Sequence, residues 1–422
     1  VRILYTLVYY LIQPLLIARL LWRSLKAPAY REGMAQRYGF YQQPAKSTCI
    51  WVHAVSVGET IASVPLVRQL QASYPDTPIV MTTTTPTGAE RVRALLGDVV
   101  THVYSPYDLP GVLRRFMRRF NPQLLIIVET ELWPNMIHAC HRAHVPVVLA
   151  NARLSAKSAA GYARAAWLSA PMLQELSVVA VQTKTEAQRF VALGLPPERA
   201  VVTGNIKFDM QLDEQARDKA GKWRQSWCVG RHCWIAASTH EGEDEIILAA
   251  HKSLLRQYPS LLLILVPRHP ERFTLVAQNA QRGGFAVHRL SAGPDLAGDT
   301  TVVVGDTMGD LLALFGVADI AFVGGSLIPR GGHNVLEPAL WSMPVLSGPH
   351  VFNFQEIAEL MQAAGGLQLT ADAAELERAI ATLLADDARR AEVGRQAFSV
   401  VEQNRGALQR LVDVISAQLS NR

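Results

Sequence analysis

The chain has 422 residues, enough for two domains of ordinary size, and its 49% hydrophobic content against 18% charged supplies apolar material for large cores. Four cysteines (Cys49, Cys140, Cys228, Cys233) exclude a disulfide framework; Cys228 and Cys233 have no matching pair for a zinc site, so a reduced, cytosolic catalytic part is expected. The net charge of +5 is uneven: residues 1–60 hold seven of the 41 basic side chains and two of the 36 acidic ones, leaving 34 of each sign elsewhere.

That basic N-terminus accompanies a hydrophobic run, Ile3 to Ala18, followed by Arg19, Leu20, Leu21, Trp22, Arg23 and Lys26. The combination favours an anionic membrane surface as partner over nucleic acid. The run is at the short limit for a bilayer span, and Gln13 and Pro14 interrupt it. Tyr9, Tyr10 and Trp22 resemble interfacial anchors, and no small-residue cleavage site follows. Residues 1–26 are therefore expected to be a retained hydrophobic anchor helix, either one span or a helix lying in the interface. The basic residues after it would hold the following domain on the cytoplasmic side. Residues 27–48 read as a membrane-proximal connector.

From residue 50 short apolar strands alternate with amphipathic helices, the signature of an α/β doubly wound parallel sheet. Strands are predicted at 50–55, 78–83, 124–128, 145–149 and 178–181, with 201–203 as a candidate last strand. A charged stretch at 209–231 reads as a helical linker. A second series follows at 233–237, 261–266, 302–304, 320–323 and 344–346, and 370–418 reads as helical. The expected organisation is an anchor (1–26), a first Rossmann-like domain (27–208), a linker (209–231) and a second Rossmann-like domain (232–422), the two domains facing across a cleft.

Polar clusters follow the predicted strands, where open α/β sheets bind ligands. Glu59, after Ser56-Val57-Gly58, stands where a strand ends and a helix begins. It suits the first turn of a helix, and it equally suits a general base at the mouth of a site. Glu129 and Glu131 follow the run Leu-Leu-Ile-Ile-Val and are costly to bury unpaired; Asn151 and Arg153, after the next strand, are candidate partners. Arg114, Arg115, Arg118 and Arg119 form a basic helix face, either merely solvated or in contact with lipid phosphates.

In the second half the clusters are 238–243, Pro267-Arg268-His269, Gly305 to Asp310, Gly324-Gly325-Ser326 and Gly331 to Glu337. Glycines at strand ends admit a ligand closely, helix N-termini offer amides to phosphate, and Arg268 offers a planar, always-charged clamp. Glu337, one turn after Asn334, is placed to accept ribose hydroxyls. His240, His269 and His333 either hydrogen-bond phosphate or order loops. Together these clusters point to a nucleotide site. His138, His141 and His144 lack the carboxylate spacing of a zinc enzyme, so no metal is expected.

Across essentially its whole length the chain resembles the 3-deoxy-D-manno-octulosonic acid (Kdo) transferases of lipopolysaccharide assembly. The resemblance rests on Val55-Ser56-Val57-Gly58-Glu59-Thr60, Glu129-Thr130-Glu131-Leu132-Trp133-Pro134-Asn135 and Asn151-Ala152-Arg153-Leu154-Ser155. It rests also on Val266 to Arg272, Gly305 to Gly309 and Gly331 to Glu337. It implies a GT-B glycosyltransferase with an N-terminal acceptor domain and a C-terminal donor domain. The implied donor is CMP-Kdo and the implied acceptor the tetra-acylated lipid A precursor, with no further cofactor. Carried over by motif, Glu59 is the proton acceptor, and Pro267, Arg268, Met308, Gly309, Asp310, Asn334, Val335, Leu336 and Glu337 hold CMP. Glu131 and Arg153 are placed near the acceptor. Asp310 stands where relatives often have Glu. The alternatives are another GT-B enzyme using a UDP-sugar, such as a lipid glycosyltransferase or a sugar-nucleotide epimerase, or an inactive membrane scaffold.

Overall fold

A computed structural model describes residues 2–42 and 48–420, so the end of the expected connector, 43–47, lies outside the described residues. The chain divides into two compact units, Val1–Lys207 with Arg405–Arg422, and Phe208–Asn404.

The first unit is built on seven parallel strands: β1 (Cys49–His53), β2 (Ile79–Thr83), β3 (Val100–Tyr104), β4 (Pro122–Val128), β5 (Val147–Ala152), β6 (Val178–Val181) and β7 (Ala200–Val202). Their order is β3-β2-β1-β4-β5-β6-β7. Neighbouring residues of β1 alternate between two cores. Cys49 and Trp51 join Leu125 and Ile127 on one face, while Ile50 and Val52 join Leu124 and Ile126 on the other. Each such fully buried side chain contributes roughly 1.5–3 kcal/mol. The chain leaves β1 outward to β2 and β3, then returns to β4 on the other side. The strand order therefore reverses between β1 and β4, and loops diverge there at the carboxyl edge, leaving a crevice for a ligand.

The second unit repeats the plan with β8 (Cys233–Thr239), β9 (Leu262–Pro267), β10 (Val287–Arg289), β11 (Val302–Val304), β12 (Ile320–Val323), β13 (Val345–Ser347) and β14 (Leu367–Leu369). The order is β10-β11-β9-β8-β12-β13-β14, again all parallel, with the reversal between β8 and β12. Three strands were not predicted from the sequence: β3, β10 and β14. All three are sheet edges. Central parallel strands are covered on both faces and read as continuous apolar runs, whereas an edge strand tolerates polar residues such as Thr101, His102 and Gln368.

The linear domain division expected from the sequence needs two corrections. The helix Glu214–Trp227, expected in a linker, buries Ala216, Ala220, Trp223 and Trp227 in the second unit, the two indoles stacked at 5.2 Å. The last helix, Ala407–Ser420, expected in the second domain, belongs to the first unit. Its Ala407, Leu411, Val412 and Ile415 pack with Ile50 and Leu124, and Arg410 Nε donates to the Thr203 carbonyl at 2.8 Å. A helix's apolar stripe shows that it must be covered but not by which core.

The expected single anchor helix is a bent pair, Arg2–Leu11 and Gln13–Lys26, with 46° between the axes. Pro14 carries no N–H for the next helical bond, and its ring crowds the preceding turn, so the helix breaks there. No single described helix is long and apolar enough to cross a membrane; the pair together passes by length and composition. Its polar side is fixed to the first unit. Tyr5 donates to Asp108 Oδ2 at 2.9 Å, Thr6 to Asn135 Oδ1 at 3.0 Å, and Tyr38 to Gln13 Oε1 at 3.2 Å. Its apolar side, including Leu4, Leu7, Leu11, Leu15 and Trp22, is exposed.

Removal of Arg405–Arg422 is expected to destabilise the first unit by several kcal/mol, since at least three large buried side chains lose their cover at roughly 1.5–3 kcal/mol each. Soluble yield and thermal melting of the truncated chain check this; an unchanged melting temperature would contradict it.

Candidate functional site

At the carboxyl edge of β1, Ser56 caps the helix Val57–Ser73 and Glu59 closes a capping box. Glu59 Oε2 accepts the Val55 and Ser56 N–H groups at 2.5 and 3.3 Å, and Ser56 Oγ contacts Oε1 at 3.1 Å. The first-turn role read from the sequence is thus real, and it orients the carboxylate as well. The side chain is largely buried, at 8% exposure. Burial pushes its proton affinity above the ordinary carboxylate range, the Val55 amide opposes this, and the charges of Glu129 and Glu131 add to it. Glu131 is itself pushed up by burial and by Glu129. Three carboxylates therefore act on one another across the β1/β4 reversal.

Glu129 sits in the left-handed region at φ 63°, as does Asn151 at φ 53°. Such backbone costs about 1 kcal/mol or more in a residue other than glycine and is found preferentially at functional sites. The pairing expected from the sequence is corrected: Glu129 is faced by Lys207 Nζ at 3.7 Å, not by Arg153. Asn151 instead accepts the Ile206 N–H at 3.2 Å, and its buried Nδ2 has no hydrogen-bond partner among the described residues. Arg153 is half-buried and forms no ion pair among the described residues. Nothing in the sequence near Lys207 marks it as the cation; β7 and the turn after it bring it there.

The basic helix Pro110–Phe120 splits by function. Arg115 and Arg119 donate to the carbonyls of Tyr38 and Gln42, holding that segment down, while Arg114 and Arg118 are exposed. His138 is paired with Glu175 at 2.6 Å.

In the second unit a fully buried Glu243 organises the β8/β12 reversal. Its carboxylate accepts four main-chain N–H groups, from His240 (2.9 Å), Gly325 (2.7 Å), Ser326 (2.9 Å) and Leu327 (2.9 Å). Gly324 is required for this approach, because a Cβ there would lie 2.9 Å from Thr239 Cα and 3.0 Å from Glu243 Oε2. The glycines of this loop, expected from the sequence to admit a ligand closely, instead bring the Gly325 and Ser326 amides onto Glu243. The sequence signal missed was an acid directly before an apolar helix, Asp244–Gln257, facing a Gly-Gly-Ser loop.

The remaining candidates gather along the same edge. Pro267 ends β9 and Arg268, next to it, is exposed, its N–H held by the Thr239 carbonyl at 2.9 Å. The Arg268 charge lowers the proton affinity of both Glu337 and His333, which places the guanidinium within electrostatic reach of each; burial dominates in both, raising Glu337 and pressing His333 down to about 4. Asn334 Nδ2 donates to Glu337 Oε1 at 3.0 Å, and its Oδ1 accepts the Leu336 N–H at 3.1 Å. Val335 and Leu336 are buried beneath them. His240 and His333 share a 2.8 Å contact between their Nε2 atoms, so one ring donates to the other. After β11, Met308 is exposed and Gly309 turns at φ 89°. Asp310 is held by Lys219 and Thr307, each at 2.5 Å. Its shorter side chain is thus fixed within the protein.

A protein-family model described as 3-deoxy-D-manno-octulosonic-acid transferase matches residues 32–210. The chain is 46% identical over 424 aligned positions to a 3-deoxy-D-manno-octulosonic acid transferase of Haemophilus influenzae, covering 99% of each. It is 36% identical to one of Bordetella pertussis, covering 87% of this chain and 86% of the relative. Among solved structures it is similar in fold to UDP-GlcNAc 2-epimerase from Neisseria meningitidis, with TM-score 0.58 and 15% identity over 89% of this chain and all of that one.

Replacing Glu243 with Ala leaves four main-chain donors, two of them fully buried, without an acceptor. Hydrogen bonds to a charged group contribute about 1.5–3 kcal/mol each, so a loss of at least ~3 kcal/mol is expected. Denaturant unfolding followed by tryptophan emission checks this, and a midpoint equal to wild type would contradict it.

Proposed function

This chain belongs to the 3-deoxy-D-manno-octulosonic acid transferase family of glycosyltransferases, and on that premise we propose that it transfers Kdo from CMP-Kdo to the tetra-acylated lipid A precursor, with Glu59 as general base. The observation that carries the proposal is the Glu59 carboxylate, aimed by Val55 and Ser56 and made more basic by burial beside Glu129 and Glu131. A UDP-sugar reading has only the low-identity fold likeness behind it.

In the proposed reaction an acceptor hydroxyl oxygen attacks the anomeric carbon of Kdo, its bond to the CMP phosphate breaks, and Glu59 takes the hydroxyl proton. Direct displacement inverts the anomeric centre. Pro267, Arg268, Met308 to Asp310 and Asn334 to Glu337 hold CMP. Arg268 and main-chain amides stabilise the charge that collects on the leaving phosphate, without a metal ion. Glu337, fixed by Asn334, accepts ribose hydroxyls. Glu131 and Arg153 contact the acceptor. The bent N-terminal pair attaches the enzyme to the cytoplasmic face of the inner membrane, with Arg114 and Arg118 facing lipid phosphates.

The primary test is a transfer assay in detergent with donor generated in situ, the acylated acceptor and a chelator, read by mass spectrometry of the lipid. A mass gain of one or more Kdo residues is expected; no gain would overturn the donor, the acceptor or the metal independence, and CMP binding would show whether the donor assignment still stands. Glu59→Gln is expected to slow transfer by about 10²–10⁴-fold with CMP binding intact; wild-type rates would remove Glu59 from the mechanism. The base must be ionised, and its proton affinity is raised. Activity should therefore fall, as pH is lowered, at a pH above the ordinary value of 4.5, and this limb should be absent from the residual activity of the Gln variant. Leu7→Glu combined with Leu11→Glu should release the protein from anionic vesicles in a sedimentation assay, since both side chains are exposed on the apolar side of the pair.

A further inference from the structure

A cavity of about 620 Å³ opens in the first unit beside the N-terminal helices. Its lining includes Tyr5, Glu131, Trp133, Leu168 and Met172. The volume lies within the ~300–1,000 Å³ typical of sites that enclose a small molecule. We propose that it holds one acyl chain of the lipid acceptor; the inference rests on the acylated acceptor proposed above and assigns part of that acceptor a place.

Three observations carry it. First, the cavity is continuous with the apolar helix pair: Tyr5 belongs to the helix Arg2–Leu11, and Trp133 packs edge-on against Tyr9 with ring centroids 6.4 Å apart. A chain entering beside that helix meets Leu132, Trp133, Leu168 and Met172 along the wall. Second, the lining includes Glu131, whose charge acts on Glu59. An acceptor with a chain in the cavity would thus present its sugar near the general base, and fixing it there turns part of the encounter entropy into productive geometry. Third, apolar side chains make up much of the lining, with Leu132, the Trp133 ring, Ala165, Leu168 and Met172 gathered there, and the Ser169 hydroxyl is spent on the Tyr162 and Ala165 carbonyls. A phosphate placed here would face the Glu131 carboxylate, a cost an aliphatic chain does not carry.

The test uses the full chain in mixed micelles with CMP-Kdo and a series of acceptors differing only in acyl-chain length. Each methylene buried strengthens binding by about fourfold. Wild-type KM for the acceptor should therefore rise by about that factor per methylene removed. Leu168→Trp and, separately, Met172→Trp fill the cavity. Each should raise KM for the full-length acceptor about tenfold, flatten its dependence on chain length, and leave KM for the donor unchanged. Ala165→Leu intrudes from the neighbouring turn and repeats the measurement if either tryptophan variant fails to fold. An unchanged KM, or a raised KM with wild-type chain-length dependence, would overturn the proposal. Wild-type protein that binds CMP but transfers to no member of the series would overturn the acceptor assignment itself, a failure seen before any variant is made.

Discussion

A carboxylate taken wholly out of water must find its hydrogen bonds in the protein, and the second unit depends on how Glu243 meets that demand. Removing an ion of this size from water costs several kcal/mol even after relaxation. Four main-chain N–H groups, three of them from the loop after β12, offset it. The loop after β8 is thereby tied to the loop after β12 at the point where the strand order reverses. Parallel sheets leave a crevice at such a reversal, and without an internal tie its two lips would be separate flexible loops. Arg268, His333 and the Asn334–Glu337 pair stand along the same edge, positioned on a rim that Glu243 makes rigid.

The first unit uses the same chemistry to a different end. Glu59 also turns back onto main-chain amides, but it accepts from two and, at 8% exposure, is less completely enclosed than Glu243. Its neighbours across the reversal are acids rather than further donors. The balance leaves a carboxylate that is well oriented and more basic than usual, where Glu243 is fully satisfied and inert. The two residues show how one motif, an acid near a helix start at a strand end, yields a fully satisfied tie or a more basic carboxylate according to how many N–H groups surround it.

The N-terminal helices add an apolar outer side to the first unit. Their polar side chains, Tyr5, Thr6 and Gln13, are bonded to the first unit, while their leucines face outward. Asp108, which receives Tyr5, also accepts the Asn135 and Met136 N–H groups at the start of the helix Pro134–Arg142. The helix pair and the segment bearing Glu131 and Trp133 are therefore anchored through one buried carboxylate, so the orientation of the apolar side is coupled to the edge that carries Glu59.

The alternation of apolar runs and amphipathic helices was enough to read two parallel α/β sheets, because strands covered on both faces must be apolar throughout. The same local logic placed Glu59 at a strand–helix junction, and the motifs around it, Arg268 and Glu337 carried the family. Three of the four edge strands, β3, β10 and β14, escaped, since solvent relieves an edge of that requirement. What only the tertiary structure decided was who meets whom. Lys207 rather than Arg153 faces Glu129 because the chain after β7 passes there; the amides of Gly325 and Ser326 serve Glu243 because β8 and β12 are neighbours 80 residues apart in sequence; and the last helix covers the first sheet. Periodicity and propensity are properties of a few adjacent residues, whereas the partner of a buried charge or an apolar stripe is set by packing between segments distant in the chain.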